Sequence, residues 1–246
     1  MHKESITIND DNIHDLCGNS EIIRDIIPEV LPAGVVPVLA VTDTGGFVFM
    51  AEVGFKSSAS TRKIAITGIR ASGESKESVN KIDESFRAAF DALTDVGGIL
   101  EKRLEECEKN GALFVGGSIT GSSFPKDGPS AGVSLYLALY GILTNQSIKP
   151  NQETLLLAAT GAITRKLEVV EAVGGVRNKL IRAEREGIKR VIIPYQNEKD
   201  LEEVPEEVRS RLEIMPIKYM CEALAIAYPD DDGVKTYIKS KKLLLK

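Results

Sequence analysis

A serine hydroxyl and a lysine amine are the side chains whose setting points to nucleophilic chemistry. The serine lies in Phe124-Pro125-Lys126-Asp127-Gly128-Pro129-Ser130-Ala131-Gly132. Gly128 permits a tight turn, Pro129 fixes its own φ where a helix tolerates a missing N–H, and the apolar run from Val133 to Leu143 predicts a helix. Ser130 is thereby placed at a helix N-terminus, where backbone N–H groups and the positive end of the macrodipole can stabilise an alkoxide or a tetrahedral oxyanion. On Pro-Ser-Ala-Gly alone, an ordinary N-cap is the commoner meaning. A hydroxyl also needs a base, and histidine is the usual one. Here the histidines are His2 and His14, both in a polar N-terminal stretch, so the remaining base is a lysine. Its amine, ordinarily with a pKa of about 10.4, must shed its proton near neutrality, which burial and a helix N-terminus both favour.

Ala172-Val173-Gly174-Gly175-Val176-Arg177-Asn178-Lys179-Leu180-Ile181 reads as a Gly-Gly turn opening a helix, with Lys179 about one turn inside it. Val176, Leu180 and Ala183 fall at i, i+4 and i+7, so the buried stripe passes beside Lys179, while Arg177, Arg182 and Glu184 point elsewhere. Taken singly, such a lysine is ordinarily a solvated charge. Beside a mounted serine, in a chain whose histidines sit in the leader, it becomes the leading base.

These two helices need a frame. Val35–Val41 and Phe47–Val53 alternate and are rich in β-branched residues, with Asp43-Thr44-Gly45-Gly46 as a hairpin turn between them. Lys63–Ile69 predicts a third strand. Glu77–Leu93 predicts an amphipathic helix with Ile82, Phe86, Ala89, Phe90 and Leu93 on one face, and a second helix spans about Ile99 to Asn110. Ala112–Ile119 is a strand leading into the serine segment. Thr154–Ala159, strongly apolar, predicts a central strand ending at Thr160, and Leu167–Val170 a return strand before the lysine helix. Arg190–Pro194 and Glu213–Ile217 read as strands, Asn197–Asp200 as the start of a short helix, and Pro205–Leu212 and Met220–Ala227 as helices. Helix signals alternating with β-branched runs predict an α/β (α+β) domain of mixed sheets with flanking helices.

Pro125 to Gly132, then Thr160-Gly161-Ala162-Ile163-Thr164, then Gly174-Gly175-Val176-Arg177-Asn178-Lys179, then Val191-Ile192-Ile193-Pro194 with Asn197-Glu198-Lys199-Asp200-Leu201, resemble in this order the proteolytic domain of Lon proteases. The resemblance runs from about Gly34 to Tyr228. It implies that Ser130 is the nucleophile and Lys179 the general base, that Thr160 orients the lysine amine, and that Asp127 and Gly128 shape the entrance or the oxyanion site. It also implies a ring, a hexamer, acting on unfolded proteins or peptides. On the residues alone, Thr160 and Thr164 could equally be ordinary strand threonines. Ala162 stands where the family commonly has a glutamate, the Arg165–Ala172 connection lacks the usual glycine and proline, and the Asn145–Gln152 loop is longer than most. No Gly-x-x-x-x-Gly-Lys-Ser/Thr phosphate loop occurs in these residues. The expectation is therefore a Lon-type serine endopeptidase without an attached AAA+ ATPase module, working alone or with a separate ATPase. The competing readings are a catalytically weak scaffold ring and a protease that processes itself or one dedicated partner.

Length and composition set the outer bounds. With 246 residues, 43% of them hydrophobic, the chain can bury one substantial core. The domain is expected over 34–228, after a leader at 1–33 and before a tail at 229–246 whose role the residues leave unassigned. The net charge of −5 is made of interspersed charges, with no basic stripe for nucleic acid. Cys17, Cys107 and Cys221 are too scattered for a disulfide framework or a zinc site. Asp230-Asp231-Asp232-Gly233 lacks the ligand spacing of a calcium loop and reads as a solvated turn. There is no apolar signal segment and no membrane-length run. No cofactor, metal, nucleic acid or membrane partner is expected, and a cytoplasmic location is.

Overall fold

β-Branched and aromatic residues build the first two strands, and the two faces of those strands serve two different cores. In the computed structural model β1 (Val35–Thr42) and β2 (Gly45–Lys56) pair antiparallel, with Val38 opposite Phe49 and Thr42 opposite Gly45. Val36, Val38, Phe49, Ala51 and Val53 enter one core, and Leu39 and Val48 the other, as the two-residue period of a pleated strand requires. The structure describes residues 27–28, 30–42, 45–56, 65–67, 76–94, 105, 114–119, 129–148, 156–164 and 168–244. The helix expected at Ile99–Asn110 and most of the leader lie outside the described residues.

β3 (Ala65–Thr67) and β4 (Phe114–Ile119) follow, then β5 (Leu157–Ala159), the short strands β6 (Ala162–Ile163) and β7 (Val170–Glu171), β8 (Arg190–Pro194) and β9 (Glu213–Ile217). Seven of these form one mixed sheet in the order β3-β4-β2-β1-β5-β8-β9, and β6 and β7 form a separate antiparallel pair. β1, β5, β8 and β9 run parallel to one another, so their carboxyl ends share one edge of the sheet.

The helices are α1 (Lys76–Thr94), α2 (Gly132–Thr144), α3 (Val176–Arg185), α4 (Glu206–Arg209), α5 (Met220–Ala227) and α6 (Asp232–Leu244). One core joins the sheet to residues of α1, α2, α5 and α6, including Phe86, Tyr136, Leu139, Leu224 and Tyr237. The other joins its opposite face to Val176, Leu180 and Ala183 of α3, and to Ile188, Val204 and Leu212. Helices thus cover both faces, giving an α/β domain of mixed sheets with flanking helices. α2, which the Ser130 segment leads into, and α3, which bears Lys179, pack on opposite sides of the sheet.

Three departures from the sequence reading concern the C-terminal third. The helix expected over Pro205–Leu212 is only the four residues of α4, and a nine-residue 3-10 segment, Tyr195–Glu203, replaces the short helix after β8. The stretch from residue 229, expected as a tail, folds as α6. Asp231 caps it by accepting the Val234 N–H at 3.0 Å, and Val234 and Tyr237, three residues apart, are both buried in the core. The acidic cluster is therefore a helix start.

Candidate active site

Pro129-Ser130-Ala131 forms a single 3-10 turn that runs directly into α2. The residue bounding α2 is Ala131, and no side chain caps the helix, so the Ser130 hydroxyl is not occupied as an N-cap. The segment is held by its backbone: the Ser130 carbonyl accepts the Gly161 N–H at 2.9 Å, and Val133 N–H donates to the Gly161 carbonyl at 3.1 Å. One turn on, the buried Ser134 hydroxyl lies 3.0 Å from both the Pro37 and the Ala159 carbonyls. This docks the start of α2 onto the first half of β1 and the end of β5. The sequence reading passed over Ser134, although a serine within a run of aliphatic and aromatic residues was the signal available.

Thr160 follows β5 directly and is fully buried. Its N–H donates to the Ile192 carbonyl of β8 at 3.0 Å, extending the parallel pairing by one bond. Its hydroxyl accepts from the Lys179 amine at 3.0 Å and donates, at 3.4 Å, to the Ser130 carbonyl. Ser130, Thr160 and Lys179 are thus brought together at the carboxyl edge of the sheet, a place where α/β folds leave a crevice. Gly161 is required there by contact: a Cβ would sit 2.7 Å from Val133 Cγ2 and 2.8 Å from Val170 Cγ1.

Lys179 is only 2% exposed and among the largest fully buried side chains. Its position is set by the turn before α3. Gly175 has φ +69°, a left-handed conformation that disfavours residues with a Cβ, and its carbonyl accepts the Lys179 N–H at 3.1 Å. Asn197, 4% exposed, clamps the chain two residues before Gly175 with two bonds of 2.9 Å, donating to the Val173 carbonyl and accepting the Val173 N–H. Among the described residues no carboxylate pairs with the amine. Burial alone pulls its pKa from the ordinary 10.5 down to about 8, since an ammonium without water or a counterion is the disfavoured form. An appreciable fraction of the amine is therefore unprotonated near neutral pH.

One N–H of that amine is engaged by Thr160, which leaves its lone pair only the remaining staggered directions. A neutral amine held this way can take a proton from a nearby hydroxyl. Asp127 and Gly128 lie outside the described residues. Ala162 is buried in β6, and Thr164 serves its own hairpin, accepting the Val169 N–H at 3.2 Å. Among the described residues no group of three His, Cys, Asp or Glu side chains could hold a metal ion, and no helix is long and apolar enough to cross a membrane.

A buried lysine and a serine-bearing turn meeting at the end of a parallel strand define a hydrolase-like site on an α/β frame. Comparison with known proteins gives the family. Residues 7–229 match the Lon protease (S16) C-terminal proteolytic domain, and the chain belongs to that family. It is 33% identical over 239 residues to a Lon protease of Elusimicrobium minutum, an alignment spanning 97% of this chain and 26% of that protein. It is 32% identical over 237 residues to a Lon protease of Escherichia coli K12, spanning 96% of this chain and 28% of that protein. A Lon protease of Methanosarcina barkeri is 43% identical over 107 residues, 44% of this chain and 13% of that protein. The chain thus spans little more than a quarter of the length of the bacterial relatives it matches.

Proposed function

We propose that this chain is a serine endopeptidase domain working through a Ser130–Lys179 dyad. The observation that carries the reading is the Lys179 amine, 2% exposed, shifted to about 8 and bonded to a threonine hydroxyl that itself reaches the Ser130 carbonyl. In the first step the neutral amine takes the Ser130 Oγ proton as Oγ attacks the scissile carbonyl carbon. The C=O electron pair moves onto the oxygen, forming a tetrahedral oxyanion. The oxyanion collapses and the C–N bond breaks. The Lys179 ammonium returns its proton to the departing amine, leaving an acyl ester on Ser130. Water, deprotonated by the again neutral amine, then attacks the ester; collapse releases the new carboxyl terminus and returns a proton to Ser130 Oγ. Thr160 holds the amine through both steps.

Unfolded proteins and peptides are the proposed substrates, and a hexameric ring the proposed assembly, in the cytoplasm. Whether a separate ATPase feeds the ring is decided by the same experiment that tests the dyad. Wild type, Ser130→Ala and Lys179→Met are incubated with an unfolded protein, with and without ATP, and peptide products are measured. Cleavage by the wild type that both substitutions abolish supports the dyad, and indifference to ATP supports a protease acting alone. A wild type that binds the unfolded chain and never cuts it, alone or with an added ATPase, refutes the endopeptidase and leaves a substrate-holding ring.

A further inference from the structure

Glu168 is the described residue whose conformation and charge the site chemistry leaves unexplained. It is a non-glycine residue with φ +52° and is 4% exposed, so an unfavourable backbone region and a buried carboxylate coincide in one residue. Both carboxylate oxygens are engaged, and both by α6. The Tyr237 hydroxyl donates to Oε2, and the Lys241 ammonium lies 2.9 Å from Oε1. The other end of α6 is anchored as well, since the Gln146 amide, just past α2, donates to Asp231. α6 therefore bridges the far end of the serine helix and the loop residues Glu168 and Val169 that lead into β7.

That loop bears on the site through packing. The Glu168 carbonyl accepts the Met220 N–H at 2.9 Å, and two residues on, Val170 N–H donates to the Lys218 carbonyl, also at 2.9 Å. Val170 Cγ1 lies against Gly161, so close that a Cβ there would be 2.8 Å away. Gly161 in turn donates to the Ser130 carbonyl, and its neighbour Thr160 takes the Lys179 amine. We infer that Glu168 is a positioning residue: tied to α6, it holds β7 against Gly161 and so presses the Thr160–Gly161 turn onto Ser130. For its effect on hydrolysis this rests on the peptidase reading; for its effect on the turn it does not.

The test follows amide hydrogen exchange by NMR in the full chain, at Gly161 and, as a reference in the sheet, at Leu39. Glu168→Gln and Lys241→Met should speed exchange at Gly161 by about tenfold while leaving Leu39 unchanged, and Lys241→Arg, which keeps the cation, should match the wild type. In peptide hydrolysis the first two should lower kcat by about tenfold with KM within about twofold. Unchanged exchange at Gly161, or equal acceleration at Gly161 and Leu39, overturns the inference. So does a normal kcat in an actively hydrolysing Glu168→Gln. If Glu168→Gln does not fold, the Lys241 pair decides by the same criterion. A wild type that hydrolyses nothing refutes the peptidase reading and leaves the exchange result to judge Glu168.

Discussion

Replacing Lys179 by methionine should make the protein more stable while abolishing its proposed activity, and the stability gain should depend on pH in a calculable way. The unfolded chain keeps the lysine proton up to about 10.5, the folded chain only up to about 8. Below pH 8 the fold therefore carries the full penalty of a buried ammonium, and the penalty fades as pH rises toward 10.5. That gap amounts to about 3 kcal/mol, at about 1.4 kcal/mol per pH unit. Methionine has a similar length and no charge, so the penalty disappears, and the lost hydrogen bond to Thr160 offsets about 1 kcal/mol of it. The variant should exceed the wild type by about 2 kcal/mol at about pH 6.5 and by only a few tenths at about pH 9.5. Urea unfolding followed by circular dichroism at both pH values measures the difference. Every other titrating group cancels, because both proteins contain it. A difference that stays constant between the two pH values, or grows with pH, would refute the assignment of a buried amine with a lowered pKa.

Peptide hydrolysis by the wild type should rise with pH and reach half its maximum near 8, where Lys179 gives up its proton; a kcat/KM profile flat from about pH 6 to 9 would exclude this amine as the base. Thr160→Val keeps the shape but removes the acceptor of the Lys179 ammonium, so the rising limb should move to lower pH while kcat falls by about tenfold or more, read from the same profile. Gly175→Ala places a Cβ 2.7 Å from Val41 Cγ1 at φ +69° and should destabilise the fold by about 2 kcal/mol in urea titration, with Val41→Ala in the same chain recovering only the contact part. Asn197→Ala strips both bonds from the Val173 backbone; it should reduce stability by about 2–3 kcal/mol and slow hydrolysis through the displaced Lys179.

Much of the site was legible in the residues because its mounts are local. The Gly128-Pro129 turn, the Gly174-Gly175 turn and the 3.6-residue periods after each are properties of a few neighbouring residues, and they predicted where α2 and α3 begin. The confinement of the histidines to His2 and His14 then singled out a lysine as the candidate base. Strand limits were legible where a charged residue opens a short apolar run, as at Arg190–Pro194 and Glu213–Ile217, and less so where an apolar run such as Thr154–Ala159 gave no internal boundary. α6 was missed because its stripe is thin, Val234 and Tyr237 in a run of lysines, and because its carboxylate partner lies about seventy residues earlier.

What the amino-acid sequence determined by itself was the two candidate side chains, the turns that launch them and the alternation of elements between them. The tertiary structure alone decided that the Lys179 amine and the Ser130 backbone both bond to Thr160. β1 pairs in parallel with β5, more than a hundred residues later, and this long-range pairing sets Thr160 between helices on opposite faces of the sheet. It also decided the chemistry of the amine, because a lysine's proton affinity depends on how much water and charge surround it once the chain has closed. No spacing of residues along the chain records that quantity.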